Sequence, residues 1–383
     1  MSQAFFYLDY AATTPVSDEV LKEMLPLFSV HFGNAASSNH VFGWRAAEAV
    51  EIGRERVARF IGAEAQEIIF TSGATEAINL AIKGLFEREG AVRNHIITFA
   101  TEHKAVLDTC QYLKKKGADL TILPVDTNGH FSIDLLQSTI TEKTLLVAAM
   151  WVNNETGIIH PVEQIAKLTR PAGVYFFCDG TQAAGKISID VKKAGIDMLC
   201  LSAHKIYGPK GVGALYISRK TPRVTIVPHI HGGGHERGLR SGTLNVPAIA
   251  GLGAACQSLT KNEILKEQQR VESIRNWWEE RLQAQLNCFV NGGMGMRVSS
   301  ISNICFPDTL PGRLISKCSQ QLAVAAGSAC TSGSHTNSHV LAAMGLQPKH
   351  TNKSIRFSLG RPTTAAEMES ALDIVLEYAK QAC

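Results

Sequence analysis

Between about residues 64 and 220, short apolar runs alternate with segments of helical period. The runs are EIIFTSG (67–73), HIITFA (95–100), LTILPV (120–125), TLLVAAMWV (144–152), VYFFCDG (174–180), MLCLSAH (198–204) and VGALYIS (212–218). Each is bounded by polar or Gly residues and is rich in Ile, Val, Leu or Phe, as strands covered on both faces are. The segments between them, such as Thr75–Phe86 and Ala105–Lys116, read as helices. This alternation predicts an α/β fold with a large, mostly parallel sheet flanked by helices. After about residue 246 the pattern changes. A long helical stretch over about 246–286 leads to SSISNICF (299–306), a helical piece, LAVAAGSAC (322–330), SIRFSLG (354–360) and a last helix from about 364. That order suits a smaller α+β unit. The first thirty residues could pack against either unit.

Composition narrows the class. The chain has 383 residues, 45% apolar and 19% charged, which is globular composition rather than disorder. Its net charge of +4 is spread without a basic run, so neither nucleic acid nor a membrane surface is expected as the main partner. Nine Cys, none in a C-x-x-C pair, argue against a disulfide scaffold or zinc ribbon and for a reduced, cytoplasmic setting. No segment reads as a membrane span, and the N-terminal MSQAFFYLDY lacks the pattern of a secretory signal.

Four strand ends carry candidate chemistry. In LCLSAHKIYGPKGVG, a buried-looking strand ends in Ser202-Ala203-His204-Lys205. An unpaired ammonium is costly there, so Lys205 is either a solvated loop residue or the amine that forms a Schiff base with an aldehyde cofactor. In VYFFCDGTQAAG, Asp179 either caps the following turn or holds a protonated pyridine nitrogen, and Gln182 could hydrogen-bond a phenolic oxygen. In IIFTSGATEAINLAI, small residues and a helix start at Ala74 and Thr75 could cradle a phosphate, or simply turn the chain. Neither a Walker loop nor GxGxxG is present in that segment. In FATEHKAVLDT, His103 is either a cap or a ring that stacks on a flat cofactor and moves protons.

Taken together, in this chain order, the four segments resemble a fold type I pyridoxal phosphate enzyme. The chain resembles the cysteine desulfurases of the NifS/IscS type, in the class V aminotransferase family. The likeness runs from YLDYAATTP (7–15) through FGNAASSNH, TSGATEAINLAIKG, TEHKAVLDTC, VNNETG, CDGTQAAGK, LSAHKIYGPKGVG, RSGTLNVP and GSACTSGS to SIRFSLGRPTT. It implies a seven-stranded large domain over 15–255, and a small α+β domain over 1–14 and 256–383 carrying a catalytic Cys loop at about 322–338. It also implies pyridoxal 5'-phosphate on Lys205, stacked by His103, with Asp179 at the pyridine nitrogen and Gln182 at the phenolic oxygen. Ala74, Thr75, Ser202 and His204 would hold the phosphate, with Thr243 supplied from the other subunit of a homodimer. Asn154 and Arg356 would hold the carboxylate of L-cysteine.

By the same resemblance, Lys205 takes the α-proton and the Cys330 thiolate attacks the substrate sulfur. Alanine is released, and a persulfide on Cys330 passes sulfur to an acceptor protein. His103 could deprotonate the thiol or protonate the alanine intermediate. Cys330 lies among small and polar residues, as a reachable nucleophile should, whereas most other Cys sit in apolar or helical contexts. Cys383 is terminal, with no motif around it. Cys330, His335 and His339 also have the spacing of zinc ligands, but no fourth ligand stands out and no metal is expected. HIHGGGHERG (229–238) reads as a Gly-rich turn near the cofactor rather than a metal site. The loop lacks the RxGHHCA pattern of SufS-like members. The sequence runs about twenty residues beyond RPTT, where IscS-type members usually continue into a tail that helps dock a cluster scaffold. The acceptor is therefore left open among iron-sulfur assembly, tRNA thiolation, cofactor synthesis and DNA sulfur modification. Rival readings are a selenocysteine lyase or a small-amino-acid aminotransferase of the same fold, and a non-catalytic phosphate- or nucleotide-binding protein using Gly73 and Gly232–Gly234.

Overall fold

The computed structural model describes residues 5–220, 223–309, 311–326 and 337–381. In chain order its strands are β1 (Phe6–Tyr7), β2 (Ile68–Thr71), β3 (His95–Phe99), β4 (Asp119–Leu123), β5 (Thr144–Met150), β6 (Tyr175–Asp179), β7 (Met198–Ser202), β8 (Gly213–Ile217), β9 (Phe289–Val290), β10 (Ile301–Cys305), β11 (Leu322–Ala323), β12 (Ala325–Ala326) and β13 (Ser354–Ser358). Strands β2 to β8 form one seven-stranded sheet in the order β2-β8-β7-β6-β5-β3-β4. All pairs are parallel except those made by β8, which runs against both β7 and β2. The seven expected runs are these seven strands, with ends that differ by at most two residues.

Every residue of β2, β3, β5, β6, β7 and β8 is buried. Successive side chains enter opposite faces, so an unbroken apolar run feeds two cores. Ile97, Val147, Phe176 and Leu199 join one cluster, with Val57 and Ile61 of the helix Val41–Ile61 and Ile249 and Leu252 of the helix Val246–Gln257. Ile96, Leu146, Phe177 and Met198 join the other, with Ile78 and Leu85 of the helix Ala74–Glu89 and Val106 and Leu113 of the helix Lys104–Lys114. The edge strand β4 is the exception, with only Leu123 buried.

A second, antiparallel sheet has the order β12-β13-β10-β9. Trp278 and Leu282 from the helix Lys261–Gln285 and Met368 and Val375 from the helix Ala365–Gln381 pack with Ile304 and Phe357 of that sheet. The long helical stretch expected over 246–286 is two helices. Thr260 accepts the Glu263 N–H and starts the second, so Ser258–Thr260 is a break rather than a continuous helix. Of LAVAAGSAC, residues 322–326 give two short strands, and the remainder lies outside the described residues.

The chain start touches both sheets' surroundings. β1 pairs with β11, Ala11 N–H donates to Ser358 Oγ at 2.9 Å, and the helix Asp18–Met24 buries Val20 and Met24 in the large core. This path takes residues 10–14 over the C-terminal ends of the large sheet's strands, where Thr14 donates to the His204 carbonyl. Among the described residues no helix is long and apolar enough to cross a membrane.

Candidate active site

Ligands of open α/β sheets settle beyond the carboxyl ends of the strands. A cavity of about 530 Å³ lies there, lined by the residues that follow β2, β5, β6 and β7. Ten expected residues line it: Ala74, Thr75, His103, Asn154, Asp179, Gln182, Ser202, His204, Lys205 and Arg356. Thr243 does not line it and is exposed on this chain. Cys330 and His335 lie outside the described residues, as does Cys383. HIHGGGHERG does not line it either. Glu236 of that segment is buried elsewhere, in a two-pronged pair with Arg54, and accepts the Phe70 N–H. His339 is hydrogen-bonded through Nε2 to the Glu102 carbonyl.

At the β2 end, Gly73 has φ +152° and ψ −179°, a conformation L side chains rarely adopt. It opens the helix Ala74–Glu89, and no side chain caps that helix among the described residues. A Cβ on Gly73 would stand 3.7 Å from Ser202 Oγ, within the space the cavity wall leaves. Gly213, where β8 begins between β2 and β7, is equally constrained: a Cβ there would come within 2.4 Å of the Leu201 carbonyl oxygen. The result is a concave end with open backbone N–H groups and the hydroxyl of Ser202. His204 stands beside it, its Nδ1 3.2 Å from Thr13 Oγ1. Burial, then the charges of Lys205 and Lys210, push its imidazole down to about 4, so it is neutral at physiological pH.

Lys205 sits in the one-turn 3-10 segment after β7. Its Nζ donates to the carbonyls of Ala11 and Ala12, both at 2.7 Å. Sequence reasoning missed these two carbonyls. The signal was the YLDYAATTP segment itself, whose polar and small residues turn the chain inward over the site. Asp179 ends β6 and is buried. Its Oδ1 accepts the Thr181 N–H at 2.9 Å and the Cys200 thiol at 3.3 Å. The turn role and the cavity role of Asp179 therefore coexist on one carboxylate. His103 likewise does both: it caps the helix Lys104–Lys114 through Nδ1 and lines the cavity. Behind them Glu102 is wholly buried, with Oε1 accepting the Met150 N–H, and burial followed by the nearby Asp179 pushes its carboxyl well above the usual range.

On the opposite wall Arg356, from β13, is buried. It donates to the Asn154 carbonyl and to Asp9 Oδ1, each at 2.8 Å. Arg356 Nε and Asn154 Oδ1 are buried without a hydrogen-bond partner among the described residues. Such groups are expensive to leave unmet, and both belong to residues of the cavity wall. Asp9 also went unnoticed in the sequence, because its ion pair spans 347 positions.

Pyridoxal phosphate, the group the resemblance implies, requires an amine, an anion cradle, a carboxylate for the ring nitrogen, a donor for the phenolic oxygen and a flat group for the ring face. Lys205, the uncapped helix start with Ser202 and neutral His204, Asp179, Gln182 and His103 fit those requirements in one cavity. The thiols described elsewhere are unsuited to attack. All seven described Cys are buried or half-buried, and burial raises the pKa of each, to about 12 for Cys110 and about 11 for Cys288.

The model of the class V aminotransferases matches residues 6–370. A cysteine desulfurase IscS of an Anaeromyxobacter species (strain Fw109-5) is 48% identical over 376 residues, covering 98% of this chain and 92% of that one. Among solved structures, a NifS-like protein superposes with a TM-score of 0.90 at 35% identity, covering 98% of each chain. A structure described as SspA in complex with cysteine gives 0.81 at 37% identity, covering 92% of this chain and 98% of that one. The chain thus belongs to the class V aminotransferase family and, within it, to the cysteine desulfurases of the NifS/IscS type.

Proposed function

We propose that the chain is a pyridoxal-phosphate-dependent cysteine desulfurase, which converts L-cysteine to L-alanine and passes the sulfur on as a persulfide of Cys330. One observation carries this reading: an amine, a carboxylate, an imidazole, an amide and an uncapped helix N-terminus converge on the cavity that Arg356 also lines. The cofactor supplies an aldehyde for amines to condense with and a ring that takes up an electron pair. In this reading, Lys205 would anchor it, Asp179 would face its ring nitrogen and His103 its ring plane. Ala74, Thr75, Ser202 and His204 would hold the phosphate.

Arg356 binds the substrate carboxylate with its fork of N–H donors, held by Asp9 and the Asn154 carbonyl. This anchoring fixes the amino end of cysteine toward Lys205. Lys205, poised between two carbonyl oxygens, moves the α-proton once its ammonium is neutral. His103 is placed to exchange a proton with the substrate thiol or the product. The Cys330 thiolate would then attack the substrate sulfur: the S–S bond forms as the Cβ–S bond breaks, its electron pair stays with the carbon fragment, and protonation there gives alanine.

We further propose a homodimer in which Thr243 completes the partner's phosphate site. Its exposure supports this, as do the exposed apolar Leu25, Phe28, Phe32 and Trp44. The acceptor is a protein of iron-sulfur cluster assembly or of tRNA, cofactor or DNA thio-modification, in a cytoplasmic setting. The division into a large unit over 15–255 and a small unit over 1–14 and 256–383 is supported by the separate cluster around Trp278 and Phe357, although Ala11, Cys256, Leu259, Ile264, Val298 and Ile301 pack into the large core. The test is incubation with L-cysteine, with and without reductant, measuring alanine and sulfide together. Equimolar products that vanish in Lys205→Ala and Cys330→Ala support the reading; sulfide without alanine overturns it.

A further inference from the structure

Beside the cavity lies a lysine that the mechanism does not use, bonded to Gln182 of the wall. Lys186 Nζ donates to Gln182 Oε1 at 2.9 Å. Gln182 Nε2 donates to the Ala11 carbonyl at 2.9 Å, and that same carbonyl accepts Lys205 Nζ at 2.7 Å. Lys186, Gln182, Ala11 and Lys205 thus form one hydrogen-bonded chain with an amine at each end. Lys186 lines a smaller cavity of about 50 Å³ together with Tyr10, Tyr207 and Lys205, and Lys205 also lines the larger one. No carboxylate lies within ion-pair distance of it among the described residues. A lysine placed there for packing alone would be an expensive choice.

An amide has a donor side and an acceptor side, and its neighbours decide which way each faces. With Lys186 on the oxygen and Ala11 on the nitrogen, the reverse orientation would set donor against donor and acceptor against acceptor. Lys186 therefore commits the Gln182 NH2 to the Ala11 and cavity side, where one N–H meets Ala11 and the other remains for the cavity that Gln182 lines. Burial, then the charges of Lys205 and Arg356, lower the Lys186 ammonium to about 7, so the position carries a real electrostatic cost.

We propose that Lys186 is a positioning residue: by occupying the Gln182 amide oxygen, it fixes the amide so that its N–H faces the phenolic oxygen of bound pyridoxal phosphate. The inference rests on the proposed cofactor site and adds to it the residue that orients one of its donors.

The test uses the purified full chain loaded with pyridoxal phosphate and follows its visible absorption against pH. A chain that takes up no cofactor, and so has no visible band, refutes the proposed function itself. Given a band, Lys186→Met removes the donor to the amide. An ill-oriented Gln182 no longer stabilises the phenolate, so the band's pH midpoint should rise by about half a unit or more. Lys186→Arg, which can still donate to the amide oxygen, should restore it. Lys186→Leu serves as a second variant without a donor should the Met protein fold poorly, and far-UV circular dichroism checks the fold of each. The deciding measurement is Lys186→Met in a Gln182→Ala background. A residue that acts through Gln182 should then add nothing further. An unmoved midpoint in Lys186→Met, or a full shift that persists without Gln182, overturns the proposal.

Discussion

Arg356 offers a sharp test of how the site reads its substrate. The guanidinium has three tasks: one N–H on the Asn154 carbonyl at 2.8 Å, one on Asp9 at 2.8 Å, and the remaining donors, including the unmet Nε, for a ligand. Lysine offers one ammonium for all three. Arg356→Lys should therefore keep the charge but lose one good charge-assisted bond to the substrate. At about 2–3 kcal/mol, that is a roughly 30- to 150-fold fall in kcat/KM for L-cysteine. Arg356→Ala should lose more and should also cost about 1–3 kcal/mol of stability, because it strips a largely buried Asp9 of its partner. The assay is formation of alanine from L-cysteine and of alanine methyl ester from cysteine methyl ester, which lacks the carboxylate. The native protein should prefer the acid strongly, and Arg356→Ala should nearly erase that preference. If the variant lowers both substrates by the same factor, Arg356 does not recognise the carboxylate and the assignment fails.

Further tests follow from the same geometry. Gly73→Ala meets no steric obstacle but must hold φ near +152°, so about 1–3 kcal/mol of strain should appear as about 5- to 150-fold weaker retention of pyridoxal phosphate, read by dialysis and absorbance; unchanged retention would disprove the role of this turn. Glu155 is buried against Ser338 and its carboxyl is pushed up to about 7, mainly by burial. Its folded pKa exceeds the unfolded value, so its contribution is complete below about 4.5 and is lost as pH rises through 7. Urea titrations should show the native protein losing about 2–3 kcal/mol relative to Glu155→Gln between pH 5 and 8. A pH-independent difference would show that Glu155 ionises no differently in the folded state. Cys330→Ala should abolish cysteine-derived persulfide while leaving the visible spectrum of the loaded protein intact, and loss of that spectrum would place Cys330 in cofactor binding instead.

Much of this architecture was legible from periodicity. Runs such as YFFCD and MLCLS carry no polar residue until their last position, so they declare both a strand buried on two faces and the chemical group at its end. The break at Ser258–Thr260 was not legible as such, because the apolar spacing continues through it and only the Thr260 cap reveals the new helix. In the site, Lys205, Asp179 and His103 could be read because each lies at the end of an apolar strand or within four residues of it. Asp9, Ala11, Ala12 and Lys186 could not: two act through backbone carbonyls, which leave no side-chain signature, and the others meet partners across the fold or as one more polar residue in a turn. Thr243, proposed for the partner's phosphate site, shows a different limit: its own chain's cavity does not place it.

The central claim is that Lys205 is the amine that holds the aldehyde of pyridoxal phosphate. Borohydride reduction of the loaded protein, followed by peptide mapping, tests it directly. The account predicts a single pyridoxyl-modified peptide containing Lys205; modification at Lys186, Lys210 or another lysine instead, or no modified peptide at all, contradicts it.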